Sequence, residues 1–261
     1  MPGVSLRDLF PVPSLMKARN VLVVQPHPDD AEWGAGATIA ALTSSGAEVN
    51  YVTVTDGGWG SVDPEVDPSE LARRRREEQA EAARVLGVSE MAWLDFPDGN
   101  VPTGADPALR SPLVRLIRSY KPDAVMGPDP WLPYEAHPDH YGTGFAVAAA
   151  VVLAGLEPPY RLPGLNAHSP AMLAMYNTSR PNTYVGVDAF WEKKLSAIAA
   201  HSSQFQGPVW EMGRLYLRAQ AEELAARARA LGKAGPGVTL VESFKVLTPL
   251  HLHCNTGAEE W

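Results

Sequence analysis

Residues 20–36 constrain the fold of this chain more than any other stretch. Residues 21–24 form a short apolar run that stops at a Gln-Pro pair, which predicts a buried strand of a parallel sheet. Residues 37–42 follow two glycines and are predicted to be helical. The reactive residues between this strand and this helix are His27, Asp29 and Asp30. Because ligands of open α/β sheets bind at the carboxyl ends of the strands, the junction predicts a functional site.

A second histidine cluster supports that prediction. His-Pro-Asp-His at residues 137–140 follows a predicted strand at residues 124–127 and precedes a helix predicted to begin near residue 141. Either cluster alone is readily explained as a polar turn in which an aspartate caps the next helix. Two clusters at equivalent strand ends, which meet at a switch point of a doubly wound sheet, indicate a metal site with spare acid and base groups.

Strand and helix patterns alternate through residues 20–155, which predicts an α/β fold with a mostly parallel sheet and helices on both faces. A less regular C-terminal extension follows. The remaining predicted strands are residues 49–55, 91–96, 170–177, 183–187 and 243–247. The remaining predicted helices are residues 68–86, 109–120, 189–201 and 209–231.

The length of 261 residues fits one domain with terminal extensions. Residues 1–18 contain three prolines and are predicted to form an arm that lies on the body or on a neighbouring subunit. Residues 19–261 are predicted to form the single domain.

Charge and cysteine content exclude several classes of partner. The net charge is −8, so neither a nucleic acid nor an anionic membrane surface is an expected partner. The single cysteine, Cys254, excludes an intrachain disulfide and favours a cytoplasmic location. No apolar run reaches the ~18 residues that a membrane-spanning helix needs, and no signal peptide pattern opens the chain.

The two clusters together predict metal-assisted hydrolysis of an amide or an ester. His27, Asp30 and His140 are candidate ligands of a zinc ion with one open position, although such a ligand set also accepts Fe(II) or Co(II). Zinc makes water acidic enough to attack a carbonyl near neutral pH. Asp29, beside the ligands, is the candidate general base.

The second cluster contributes two further candidates. His137 has no ligand role in this scheme and, if protonated, would stabilise an oxyanion. Asp139 would hold the His137 imidazole in orientation and raise its pKa.

Pro-His-Pro-Asp-Asp at residues 26–30 and His-Pro-Asp-His at residues 137–140 resemble the two signature motifs of the PIG-L/LmbE-like zinc deacetylases. These enzymes remove N-acetyl groups from N-acetylglucosamine-type sugars on a Rossmann-like fold. Further segments resemble the archaeal diacetylchitobiose deacetylase branch, and these are residues 55–57, 75–87, 93–95, 128–135 and 201–205.

This resemblance implies one zinc ion per subunit and an amino-sugar substrate. It implies the same roles as the residues alone: His27, Asp30 and His140 as zinc ligands and Asp29 as the base. His137 would stabilise the oxyanion, and Asp139 would orient His137. It also implies that an arginine and an aspartate hold sugar hydroxyls, and Arg75 and Asp98 match them. Arg75 belongs to a run of four arginines on the predicted helix, and the alternative role for it is a surface ion pair.

In the diacetylchitobiose branch, a C-terminal histidine reaches the pocket across a subunit contact. His253 matches that position, with His251 as its neighbour, and a surface histidine is the alternative. By this resemblance the chain is expected to be a homo-oligomer, a trimer or a hexamer, with the tail at residues 235–261 at the subunit interface.

Three other functions compete with a sugar deacetylase. The same scaffold also serves amidases of thiol conjugates and hydratases of unsaturated acids, and release of free acetate separates these from a deacetylase. A sugar-binding protein without catalysis is the remaining alternative, and it would bind without metal and tolerate a change of Asp29.

Overall fold

A computed structural model describes residues 6–104, 106–157 and 161–261 of the chain. In this described part, seven strands are present: β1 (Asn20–Gln25), β2 (Glu48–Thr55), β3 (Glu90–Phe96), β4 (Ala124–Pro128), β5 (Met172–Tyr176), β6 (Thr183–Gly186) and β7 (Val241–Leu247). The α-helices of the same ranges are α1 (Leu6–Leu9), α2 (Asp30–Ser44), α3 (Pro68–Leu86), α4 (Pro107–Tyr120), α5 (Pro138–Ala154), α6 (Trp191–Ala200) and α7 (Gly207–Ala230).

The strands form one sheet in the order β3-β2-β1-β4-β5-β7-β6. The five strands from β3 to β5 pair in parallel, whereas β7 runs antiparallel to both β5 and β6. The prediction of a mostly parallel α/β sheet is therefore confirmed. The C-terminal segment does not lie outside this sheet, because β7 inserts between two earlier strands.

Helices cover both faces of the sheet, as the alternating pattern predicted. One hydrophobic core lies beneath α2, α3, α6 and α7, and a second lies beneath α4 and α5. The interior strand β1 contributes to both cores, and its residues Val21, Leu22, Val23 and Val24 are all at most 1% exposed. A short apolar run without alternation is what a strand buried on both faces requires.

Helix α3 begins and ends where the sequence predicted. The Asp67 carboxylate accepts from the amides of Ser69 and Glu70, and Pro68 occupies the first helical position. Gly87 ends the helix with a φ of 79°, a left-handed conformation that glycine adopts without strain.

Helix α5 begins earlier than the predicted residue 141. Pro138 stands in its first turn, and the His137 side chain caps the helix by accepting from the Asp139 amide. Both histidines of the second cluster consequently belong to the start of α5, so their positions are fixed by the helix.

The two ends of the described chain lie together. Leu15 is 1% exposed, and the Trp261 indole donates to the Phe10 carbonyl over 3.1 Å. The predicted arm thus packs on the body where it is described, and residues 1–5 lie outside the described ranges. Within those ranges, no helix is long and apolar enough to cross a membrane.

Candidate active site

The candidate site lies at the switch point of the sheet. Strands β1 and β4 are neighbours, and the helices that follow them, α2 and α5, lie on opposite faces. The two loops therefore diverge and leave a cleft between them. The first cluster stands on the loop from β1 into α2, and the second stands at the start of α5.

The three candidate metal ligands converge in this cleft. His27 Nδ1 is 3.1 Å from Asp30 Oδ2, and His140 Nε2 is 3.4 Å from Asp30 Oδ1. One ligand atom from each of the three residues lies within 4.8 Å of the others. Two imidazole nitrogens and one carboxylate oxygen form a donor set that fits a divalent cation of the zinc type.

The charge state of these groups also fits a cation. Burial raises the pKa of Asp30, but the neighbouring His140 and His27 outweigh it and hold that pKa well below its usual range. Burial lowers the pKa of His27, yet its contacts with Asp139, Asp30 and Asp98 raise it well above the usual value. Asp30 contacts Nδ1 of this ring, where a cation would take the place of a proton, whereas Asp139 and Asp98 contact Nε2.

Each ligand histidine is held from behind by a carboxylate. His27 Nε2 is 3.1 Å from Asp139 Oδ2, and His140 Nδ1 is 3.3 Å from Glu135 Oε2. Such contacts fix the ring orientation and the tautomer, so that the other nitrogen faces the metal. Glu135 was not predicted, although an acid directly before the second cluster is a signal that sequence reasoning could have used.

The predicted role of Asp139 is corrected by these contacts. Its carboxylate is fully buried and accepts from the amides of Gly99 and Val101 over 2.7 and 3.0 Å. The carboxylate contacts His27, so it is His27 that it orients, whereas the contact of Asp139 with His137 is made by its backbone amide. His27, His137 and Asp139 also form a possible metal-binding group.

His137 is exposed at the mouth of the cleft, and its ring centroid is 4.8 Å from that of His27. Burial, followed by the charges of His27 and His140, lowers the pKa of His137, although Asp139 acts in the opposite direction as predicted. Its Nδ1 accepts from the Asp139 amide over 3.3 Å, which places the proton of the neutral ring on Nε2. The neutral ring of His137 can therefore donate to an oxyanion through Nε2–H, and the ring does not need a second proton.

Asp29 has the environment of a general base. Burial raises the pKa of its carboxyl to about 6, against the lowering effect of the Arg75 guanidinium, whose Nη2 is 3.1 Å from Asp29 Oδ2. A pKa near the working pH is what proton transfer requires. The residue has a φ of 99°, a left-handed backbone conformation that residues other than glycine rarely adopt.

Arg75 is the inward-pointing member of its arginine run. It is 4% exposed and donates to the carbonyls of Gly57 and Pro28 over 2.9 and 2.7 Å. A surface ion pair is therefore not its role, because its guanidinium joins the loops after β1 and β2. Gly57 is required there, since a Cβ atom would lie 2.9 Å from Arg75 Nη1.

Asp98 lies beside His27, on the loop that follows β3. Its Oδ1 is 3.2 Å from His27 Nε2, and its Oδ2 accepts from the Trp59 amide over 3.0 Å. Contacts of Asp98 and Arg75 with sugar hydroxyls stay a prediction.

The tail histidines lie elsewhere in this chain. His253 is exposed beside Cys254, and His251 is 2% exposed and packs between Phe10 and Trp261. Neither is among the described residues that line the cleft. A role for His253 at the site stays a prediction that requires a second subunit.

The cleft has a volume of about 500 Å³ and runs from the metal ligands towards α7. Its floor contains Asp29, Asp30 and His140, and aromatic side chains such as Trp33 and Tyr216 form its wall. This volume is in the range of small-molecule sites.

Comparisons with known proteins agree with the predicted resemblance. The PIG-L family profile, described as GlcNAc-PI de-N-acetylase, matches residues 22–151. A diacetylchitobiose deacetylase from Thermococcus kodakarensis is 44% identical over 203 residues, which cover 77% of this chain and 75% of that protein. The structure of N,N'-diacetylchitobiose deacetylase from Pyrococcus horikoshii superposes with a TM-score of 0.83 at 38% identity, covering 91% of this chain and 87% of that one.

A hydratase has the same fold. The structure of GalB, the 4-carboxy-2-hydroxymuconate hydratase from Pseudomonas putida, superposes with a TM-score of 0.73 and covers 88% of this chain and 96% of that one. Because the identity is 24%, this likeness shows the fold alone.

Proposed function

This chain belongs to the PIG-L family, and we propose that it is a zinc-dependent hydrolase that removes the N-acetyl group from N-acetylglucosamine-type sugars. The observation that carries the proposal is the convergence of three candidate ligands with a base whose pKa is about 6. The substrate class, a small amino sugar, is inferred from the activities for which the relatives are named.

His27, Asp30 and His140 would hold a zinc ion, which when bound would act as a Lewis acid on water and on the amide carbonyl. Asp29 accepts the proton of the attacking water, and the Arg75 guanidinium holds its carboxylate in place. The Nε2–H of His137 donates to the oxygen that becomes negative as the carbonyl is attacked. Asp29 then gives the proton to the leaving nitrogen, so that the products are acetate and the free amine.

Sugar recognition belongs to the cleft wall in this proposal. We expect Arg75 to donate to sugar hydroxyls beside the base and Asp98 to accept from them, as the resemblance implies. The rim near residues 155–170 is expected to select the substrate length, and residues 158–160 of it lie outside the described ranges. The homo-oligomer and the cytoplasmic location stay predictions.

The test is acetate release from N-acetylglucosamine and from its β-1,4-linked dimer. Turnover that stops with a chelator and returns with zinc, and that is faster on the dimer, is the expected result. Parallel restoration with Fe(II) and Co(II) identifies the metal. No acetate from either sugar, in protein shown to hold its metal, would refute the proposed substrate class.

The hydratase and thiol-conjugate alternatives give no acetate and are separated by the same assay. An unsaturated acid substrate also needs a free cation in the cleft. Arg75 beside the cleft is paired with Asp29, and Lys194, the one lysine or arginine among the described lining residues, has its Nζ 2.6 Å from Glu242 Oε1. A site whose lysine is neutralised in this way favours an uncharged sugar.

A further inference from the structure

Gln79 lies directly behind the candidate base and has no part in the mechanism described so far. It stands on α3, one turn after Arg75, and it is 0% exposed. A fully buried amide needs hydrogen-bond partners for both its oxygen and its nitrogen.

The hydrogen-bond partners of Gln79 all belong to residues 25–32, the segment that carries the base. Its Oε1 accepts from the Asp29 amide over 3.0 Å and from Gln25 Nε2 over 2.8 Å. Its Nε2 donates to Glu32 Oε1 over 3.0 Å. Two donors on one side and a carboxylate on the other leave one orientation of the amide group that satisfies every partner.

The hydrogen bond to Asp29 acts on a strained residue. Asp29 has a φ of 99° and a ψ of −24°, a conformation that residues other than glycine adopt rarely, although aspartate adopts positive φ more often than most. Strained backbone persists only where surrounding contacts determine it. Gln79 supplies such a contact at the Asp29 amide, while Arg75 supplies another at the Asp29 carboxylate. Both residues extend from the same helix.

Glu32 holds Gln79 in turn. It is 0% exposed, and its Oε2 is 3.5 Å from Nε2 of His201, which is also 0% exposed. Burial lowers the pKa of His201, but Glu32 raises it above the usual value. The His201 ring thus lies beside Glu32 Oε2, while Glu32 Oε1 accepts from the Gln79 amide.

We propose that Gln79, held by Glu32, is a positioning residue that keeps the Asp29 turn in its left-handed conformation and so aims the base. The proposal rests on the proposed function in so far as Asp29 is the base. Gln79 makes no hydrogen bond to His27, Asp30 or His140 in the described structure. Its loss is therefore expected to reduce turnover while the metal stays bound.

The test exchanges the amide and the carboxylate between positions 79 and 32. Gln79→Glu alone places two carboxylates against each other, and it is expected to lower kcat roughly 10- to 100-fold, since small misplacements of a catalytic group have effects of that size. KM is expected to stay within about twofold and zinc content at one per chain, because the cleft wall and the ligands are unchanged. Adding Glu32→Gln restores the hydrogen bond between positions 79 and 32 with its direction reversed, while an oxygen at position 79 still accepts from Asp29 and Gln25. The double variant should therefore regain most of kcat.

Glu78→Gln is the matched control. Glu78, the residue of α3 directly before Gln79, is 8% exposed and accepts from Ser202 and Ser203, so its change loosens α3 without touching Asp29. It is expected to lower the melting temperature while kcat stays within about twofold. Amide hydrogen exchange of Asp29 provides a readout that needs no substrate, and it should accelerate in Gln79→Glu and slow again in the double variant.

The outcomes separate the two proposals. Unchanged kcat and unchanged Asp29 exchange in Gln79→Glu would overturn the positioning role, as would a swap that restores the melting temperature but not kcat. A wild-type protein that releases no acetate would refute the proposed function, and the exchange experiment would still decide the role of Gln79.

Discussion

Replacing Lys194 with methionine is expected to lower the free energy of unfolding by about 3 to 5 kcal/mol. Lys194 on α6 and Glu242 on β7 form an ion pair with 2.6 Å between Nζ and Oε1, and their side chains are 4% and 5% exposed. Removing one partner leaves the other charge buried without compensation, which is why the expected loss far exceeds that for a surface pair.

The same pair also completes the backbone of α2. Glu242 accepts from the amides of Ala37 and Thr38 over 3.1 and 2.7 Å, and Lys194 Nζ donates to the Trp33 carbonyl over 2.7 Å. In a regular helix the Ala37 amide would donate to the Trp33 carbonyl. The ion pair therefore inserts into the hydrogen-bond ladder of the helix that carries Asp30, and its loss leaves the Trp33 carbonyl without this donor.

Thermal and urea unfolding followed by circular dichroism measure the effect. At roughly 2 to 4 °C per kcal/mol for a chain of this size, the melting temperature should fall by about 6 to 20 °C. Lys193→Met is the control, because Lys193 is the exposed neighbour on α6. The double variant Lys194→Met/Glu242→Leu removes both charges and should regain part of the loss. A difference below about 1 kcal/mol between the two single variants would refute the reasoning, since that is the size of a surface pair.

Three changes at the site follow from its geometry. Asp29→Asn should retain zinc but lose about 10²- to 10⁴-fold in turnover, and a near-normal rate would show that another residue is the base. His140→Ala should lose the metal, measured by elemental analysis, whereas full retention would move the third ligand elsewhere. Glu135→Gln weakens the contact behind His140 and should lower zinc affinity about 10- to 100-fold in a competition with a chelator, and unchanged affinity would remove Glu135 from the support of the ligand.

The positions of the helices and strands were largely predictable because their signals are local. The start of α3 depends on Asp67 and Pro68 and its end on Gly87, all of which are visible in the sequence. The inward position of Arg75 could also be derived, since it shares one helical face with Leu71, Ala82 and Leu86, which are all buried. An arginine on an apolar stripe signals a buried partner.

The arrangement of the last strands could not be predicted in the same way. Strand β7 pairs with β5 and β6 across more than fifty residues of intervening chain, and neither pairing has a local turn that would specify it. The contact of the Asp139 carboxylate with His27 was also not predicted, because it depends on a distant segment of the chain. The amides of Gly99 and Val101 fix its carboxylate, and they come from the loop after β3.

One helical turn contains three acids, and each has a different function because each faces a different element. Asp30 faces the histidines, which keep its pKa low and suit it to a metal. Asp29 faces α3, where burial outweighs the Arg75 charge and brings its pKa to about 6, as a base requires. Glu32 faces His201 and Gln79 in the interior and supports the turn. Adjacent carboxyl groups acquire separate roles when their environments move their pKa values apart, and here α3 and α5 provide those environments for Asp29 and Asp30.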